Sequence, residues 1–139
     1  MVEENEILKK LVIEEKDITK ELESLVGKSL QFFKIEKPGG KIVFVDFGSL
    51  SDPQRICALL LGKYFATKLG IIEKSELGIS EISNELGRPM TTLSSPMREL
   101  VKKGFVEKLP IRKYRIAYHR ISKIFDEILR LKKEANQKI

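Results

Sequence analysis

Residues 78–118 read GISEISNELGRPMTTLSSPMRELVKKGFVEKLPIRKYRIAY, and this stretch decides how the chain folds. Ile79, Ile82 and Leu86 are spaced three and four apart, which puts them on one face of a short helix. Ser80 is placed to cap that helix, and Glu81 suits the positive end of its dipole. Gly87, Arg88 and Pro89 break the pattern: glycine permits a left-handed closing residue, and proline cannot continue the helix. Leu93, Met97, Leu100 and Val101 then form the buried stripe of a second helix over about residues 90–103, stopped at Gly104. Two helices joined by so short a turn must cross steeply, which predicts a helix-turn-helix.

The following residues predict a hairpin. Phe105–Leu109 and Tyr114–Tyr118 mix apolar and charged residues as strands do, and Pro110 with Arg112 and Lys113 supplies a basic turn between them. The run ISEISNELGRPMTTLSSPMRELVKKGFVEK resembles the winged helix-turn-helix domains of bacterial and archaeal transcription regulators of the MarR-like and ArsR-like kind. The likeness spans roughly forty residues, or seventy with the preceding helix, and does not extend to the N-terminal half. It implies a mainly α fold with small β-hairpins, binding to double-stranded DNA, and a homodimer paired through terminal helices.

Charge follows the motif. The chain has 139 residues and a formal charge of +6. Residues 1–27 hold four Lys/Arg against eight Asp/Glu, whereas residues 88–123 hold ten Lys/Arg against Glu99 and Glu107, a local balance of +8. A face so charged suits a polyanion. With Leu93, Met97 and Leu100 inward, the second helix presents Thr91, Thr92, Ser94, Ser95 and Arg98. Arg98 can bridge a guanine edge with two bonds, while the hydroxyls discriminate little. Arg88, Lys102 and Lys103 are assigned to phosphates, and Arg112, Lys113 and Arg115 of the wing to the backbone or the adjacent minor groove. Pro96 departs from the family pattern. It removes one backbone bond and crowds the Thr92 carbonyl, so either the helix is kinked there or its regular part begins at Ser95.

The remaining chain divides into an amphipathic helix within residues 1–27, a hairpin extension at 28–49, a winged domain at 50–118 and a C-terminal helix at 119–139. The first helix, about residues 3–26, carries a seven-residue seam through Leu8, Leu11, Ile18, Leu22 and Leu25, and it fits either packing on its own domain or one arm of a dimer. Strands at 29–36 and 41–47 face each other across Lys37-Pro38-Gly39-Gly40, with the second strand apolar on both sides and therefore expected to be covered on both. Ser51-Asp52-Pro53 opens a helix to about Leu69, apolar around most of its circumference and so central. The last helix, 120–138, carries a seam of Ile121, Ile124, Ile128, Leu131 and Ala135, offered as a dimer interface.

Several classes are disfavoured. His119 is the single histidine and Cys57 the single cysteine, so neither a metal site of usual spacing nor an intrachain disulfide is expected. No catalytic group, cofactor or metal ligand is assigned. The longest apolar run, Ile56–Leu61, is too short for a bilayer, and the acidic start does not resemble a signal peptide, so a cytoplasmic protein without membrane contact is expected. The bias to Ile, Lys and Glu, with three Gln and three Asn, suggests adaptation to heat. Rivals to a transcription regulator are a winged-helix adaptor for a protein partner and an architectural DNA binder indifferent to sequence.

Overall fold

A computed structural model describes residues 15–130. Helix α1 (Glu15–Ser29) leads into a two-stranded antiparallel hairpin, β1 (Phe33–Glu36) and β2 (Lys41–Phe44). The part of the predicted first helix before Glu15, with Leu8 and Leu11, lies outside the described residues. Gly27 does not stop α1. The helix continues to Ser29, whose hydroxyl donates to the Leu25 carbonyl at 2.7 Å, and the Leu30 amide still reaches the Val26 carbonyl at 3.0 Å. One exposed glycine costs a helix only about 1 kcal/mol, too little to end it against those bonds.

The hairpin register pairs Phe33 with Phe44 and Glu36 with Lys41 around the expected turn. Both strands are shorter than the sequence suggests, and the second is covered on one face only. Ile42 is buried, while Val43 and Val45 are exposed. A lone two-stranded ribbon has one partner layer here, helix α2 (Asp52–Lys68), so its other face meets solvent. The contact is close because α2 carries Gly62 beneath the hairpin: a Cβ there would come within 2.6 Å of Ile42 Cδ1 and 3.2 Å of its Cγ2. Gly62→Val should therefore push the hairpin off α2 and cost about 1–3 kcal/mol by overpacking, read as a lower urea midpoint.

Helix α2 is the centre of the core. Ser51 and Gln54 cap it reciprocally: the Ser51 amide donates to Gln54 Oε1 at 2.9 Å, and the Gln54 amide donates back to Ser51 Oγ at 3.4 Å. From Ile56 to Lys63 every residue is buried, as an all-round apolar helix requires.

Beyond it come β3 (Leu77–Gly78), α3 (Ile79–Leu86), α4 (Met90–Lys102), β4 (Val106–Leu109), β5 (Lys113–Ile116) and α5 (Ile121–Glu127). The three strands form an antiparallel sheet in the order β3-β5-β4. Ile82 and Leu86 of α3 and Leu93, Met97 and Leu100 of α4 are buried as their spacing demands. Gly87 closes α3 in the left-handed conformation at φ 63°. The molecule is thus mainly α with small hairpins. Ser80 is not the cap of α3. The helix begins one residue earlier, and the Glu81 carboxylate reaches back to accept the Gly78 amide at 3.0 Å.

Helix α5 is shorter than the predicted 120–138. Ile121, Ile124, Phe125 and Leu129 are buried in the protomer's own core, so this part of the apolar seam is already occupied. Leu131 and Ala135 lie outside the described residues. Among the described residues no helix is long and apolar enough to cross a membrane.

Candidate nucleic-acid interface

Helix α4 runs without interruption from Met90 to Lys102, through Pro96. Its start lies at Pro89-Met90, not at Ser95. The pyrrolidine nitrogen of Pro96 cannot answer the Thr92 carbonyl, but the buried stripe outweighs the loss. Burying Leu93, Met97 and Leu100 contributes about 1.5–3 kcal/mol per side chain, against about 3 kcal/mol for an interior proline. Thr91, Ser94, Ser95, Arg98 and Lys102 are exposed on the outward face, with Thr92 half-buried. Ser94 is partly spent, because its hydroxyl donates to the Met90 carbonyl at 2.8 Å.

The outward face of α4 and the wing enclose a cleft of about 540 Å³. Arg98 and Lys102 line it from the helix, Lys108 and Tyr114 from the strands, and no carboxylate does. Strand parity explains the second pair. Lys108 and Tyr114 are direct cross-strand partners two residues from the Val106–Ile116 pair, which is buried, so all four side chains share a face. Sequence reasoning missed Lys108 and Tyr114, although counting alternate residues from Val106 would have found the lysine.

Other assigned cations are already paired inside the protein. Arg88 forks onto Asp52, with Nε 3.2 Å from Oδ1 and Nη2 3.3 Å from Oδ2. Asp52 also holds Arg55 at 3.1 Å. Arg88 therefore locks the α3–α4 turn onto the start of α2, and its assignment as a phosphate contact gives way to that role. Lys113 lies 3.5 Å from Glu81, and Arg115 lies 2.9 Å from Glu107. Glu81 is held below the ordinary carboxylate range, first by the Gly78 amide and then by Lys113. Its tie is complete above the ordinary value and is lost as pH falls through the lower folded one.

Arg112 stands exposed at the wing tip with Ile111, and both are in the left-handed region, at φ 57° and 70°. For a β-branched residue that conformation is an outlier, and Ile111 is 89% exposed. Lys103 caps the far end of α4 and faces a different cleft with Arg120 and Lys123. The structure thus brings Ser94, Arg98 and Lys102 together with two wing residues, and sets Arg88 and Lys103 apart from them.

Residues 69–123 match the family model of the sugar-specific transcriptional regulator TrmB. The segment is a winged helix-turn-helix of the kind that transcription regulators carry. The match covers the winged helix-turn-helix from the loop after α2 to the start of α5, and leaves out the hairpin β1–β2. Comparison with curated proteins and with solved structures gave no match. Within the winged helix-turn-helix, α4 occupies the recognition-helix position and β4–β5 the wing.

Two residues singled out for chemistry are inert or peripheral here. Cys57 is buried in α2, and burial pushes its thiol up to about 12, so it stays protonated and unreactive near neutrality. His119 is exposed at the base of the wing, edge-on to Tyr118.

Proposed function

We propose that the chain is a transcription regulator that binds double-stranded DNA, with α4 in the major groove and the wing against the adjoining backbone. One observation carries this reading: Arg98, Lys102 and Lys108 converge on one cleft between recognition helix and wing, with no acidic side chain in its lining. A concave, singly signed surface concentrates potential and draws in a polyanion. Arg98 is the base-reading side chain, Thr91 and Ser95 add weakly selective hydroxyls, and Lys102, Lys108 and Arg112 contact phosphates.

Fluorescence anisotropy of a labelled duplex at increasing salt is the direct test. Micromolar or tighter binding at low salt, weakening linearly on a log–log plot, is expected. No binding to random or genomic duplex at micromolar protein sinks the proposal. Arg98→Ala should cost about 1–3 kcal/mol on the preferred sequence and relax selection at one position.

An architectural binder, indifferent to sequence, is the second reading. It is favoured by the engagement of Ser94 with Met90, which leaves Arg98 as the sole strongly discriminating side chain on the exposed face of α4. Selection from a random pool separates the two: an enriched motif supports a regulator, and an unchanged pool supports the architectural role.

A further inference from the structure

We infer that the apolar groove beside α1 is the seat of a second copy of this chain, which forms a two-fold dimer through it. The inference goes beyond the DNA reading and does not depend on it. Leu22, Val26 and Leu30 are four residues apart and make a straight ridge along α1, continued by the amide bond from Leu30 to Val26. Beside that ridge lies a groove of about 440 Å³ floored by Phe33, Ile35 and Phe65 and edged by Leu69. Leu22, Val26, Leu30 and Leu69 are between 41% and 66% exposed. Contiguous apolar exposure of this kind marks an interaction surface.

The occupant is argued from shape and charge. A two-fold interface requires one surface to complement itself. A ridge lying next to a groove does so, since each copy can place its ridge in the other's groove. The rim of the groove carries Lys34 and Lys68, while the ridge helix carries exposed Glu23. Residues 1–27 as a whole hold eight acidic against four basic side chains. A second copy therefore brings acidic chain to the basic rim while burying the four exposed apolar side chains.

The test uses the full chain without DNA, by sedimentation equilibrium at 1–100 µM (on the order of the range where modest interfaces are half-formed). The expected mass is twice the 15.9 kDa of one chain. Leu22→Asp and Leu69→Asp should each weaken the dimer at least tenfold, with circular dichroism and the thermal transition retained. Should either fail to fold, the surface reversals Lys34→Glu and Lys68→Glu serve instead. They should weaken the dimer, and adding Glu23→Lys should restore it. A monomeric wild-type chain, as expected if its own terminal residues cover the groove, overturns the inference. So does a dimer indifferent to all of these changes. Low-salt binding of random duplex by the monomeric variants reports separately on the winged helix-turn-helix, so failure of one reading is distinguishable from failure of the other.

Discussion

Replacing Arg98, Lys102 and Lys108 together by alanine should flatten the salt dependence of duplex binding by about three units of log K against log salt, at roughly 0.9 per lost phosphate contact. At 0.1 M salt this amounts to a loss on the order of several hundred-fold. The size of the effect follows from their state in the free protein. These three side chains line one cleft and have no ion-pair partner among the described residues, so their full charge is available to DNA. Arg115 is different, because Glu107 holds it at 2.9 Å and cancels its field. Glu107→Gln should release Arg115 and steepen the slope by up to about one unit. A triple variant whose slope equals the wild-type value would place the DNA elsewhere on the protein.

The same contrast shows what the sequence could and could not convey. Burial leaves a periodic trace, so the stripes Ile82–Leu86 and Leu93–Met97–Leu100, and the all-round apolar α2, were legible as helices with known inward faces. Ion pairing leaves no such trace. Asp52 and Arg88 are 36 residues apart and Glu81 and Lys113 are 32 apart, and nothing local marks them as partners. A count of +8 over residues 88–123 therefore overstated the charge free for DNA, since Arg88, Lys113 and Arg115 answer carboxylates within the fold. Pro96 misled in the opposite direction. Local rules moved the helix start to Ser95, but packing of α4 against α2 and α3 overrode them, as tertiary contacts commonly do. The groove beside α1 was the least legible feature. It is made by three elements from different parts of the chain, and Leu22 by itself reads only as one seam position.

Glu85→Ala should destabilise the protein by about 2–4 kcal/mol, whereas Lys63→Met should cost about 1 kcal/mol or less. The asymmetry comes from where each partner sits. Lys63 rises from the middle of α2, where its side chain is 10% exposed, and its ammonium lies 2.9 Å from Glu85 of α3. The ammonium also donates to the Gly40 carbonyl of the hairpin turn at 3.3 Å. Removing Glu85 leaves a buried ammonium with one neutral acceptor. Removing the lysine leaves a carboxylate that water already reaches, together with a methionine that fills the same apolar channel. The double variant should consequently resemble Lys63→Met alone, a strong departure from additivity expected of residues that share one contact. Urea unfolding of the four proteins measures all of this from the midpoints at constant slope. If Lys63→Met proved the more damaging change, the ammonium would be a net stabiliser and the account above would be wrong. The point reaches beyond stability because Lys63 is a single side chain touching the hairpin, the central helix and the first helix of the DNA-binding motif. Loss of Glu85 should therefore loosen the hairpin and the helix-turn-helix together, seen as faster amide exchange in both Lys41–Phe44 and Ile79–Leu86.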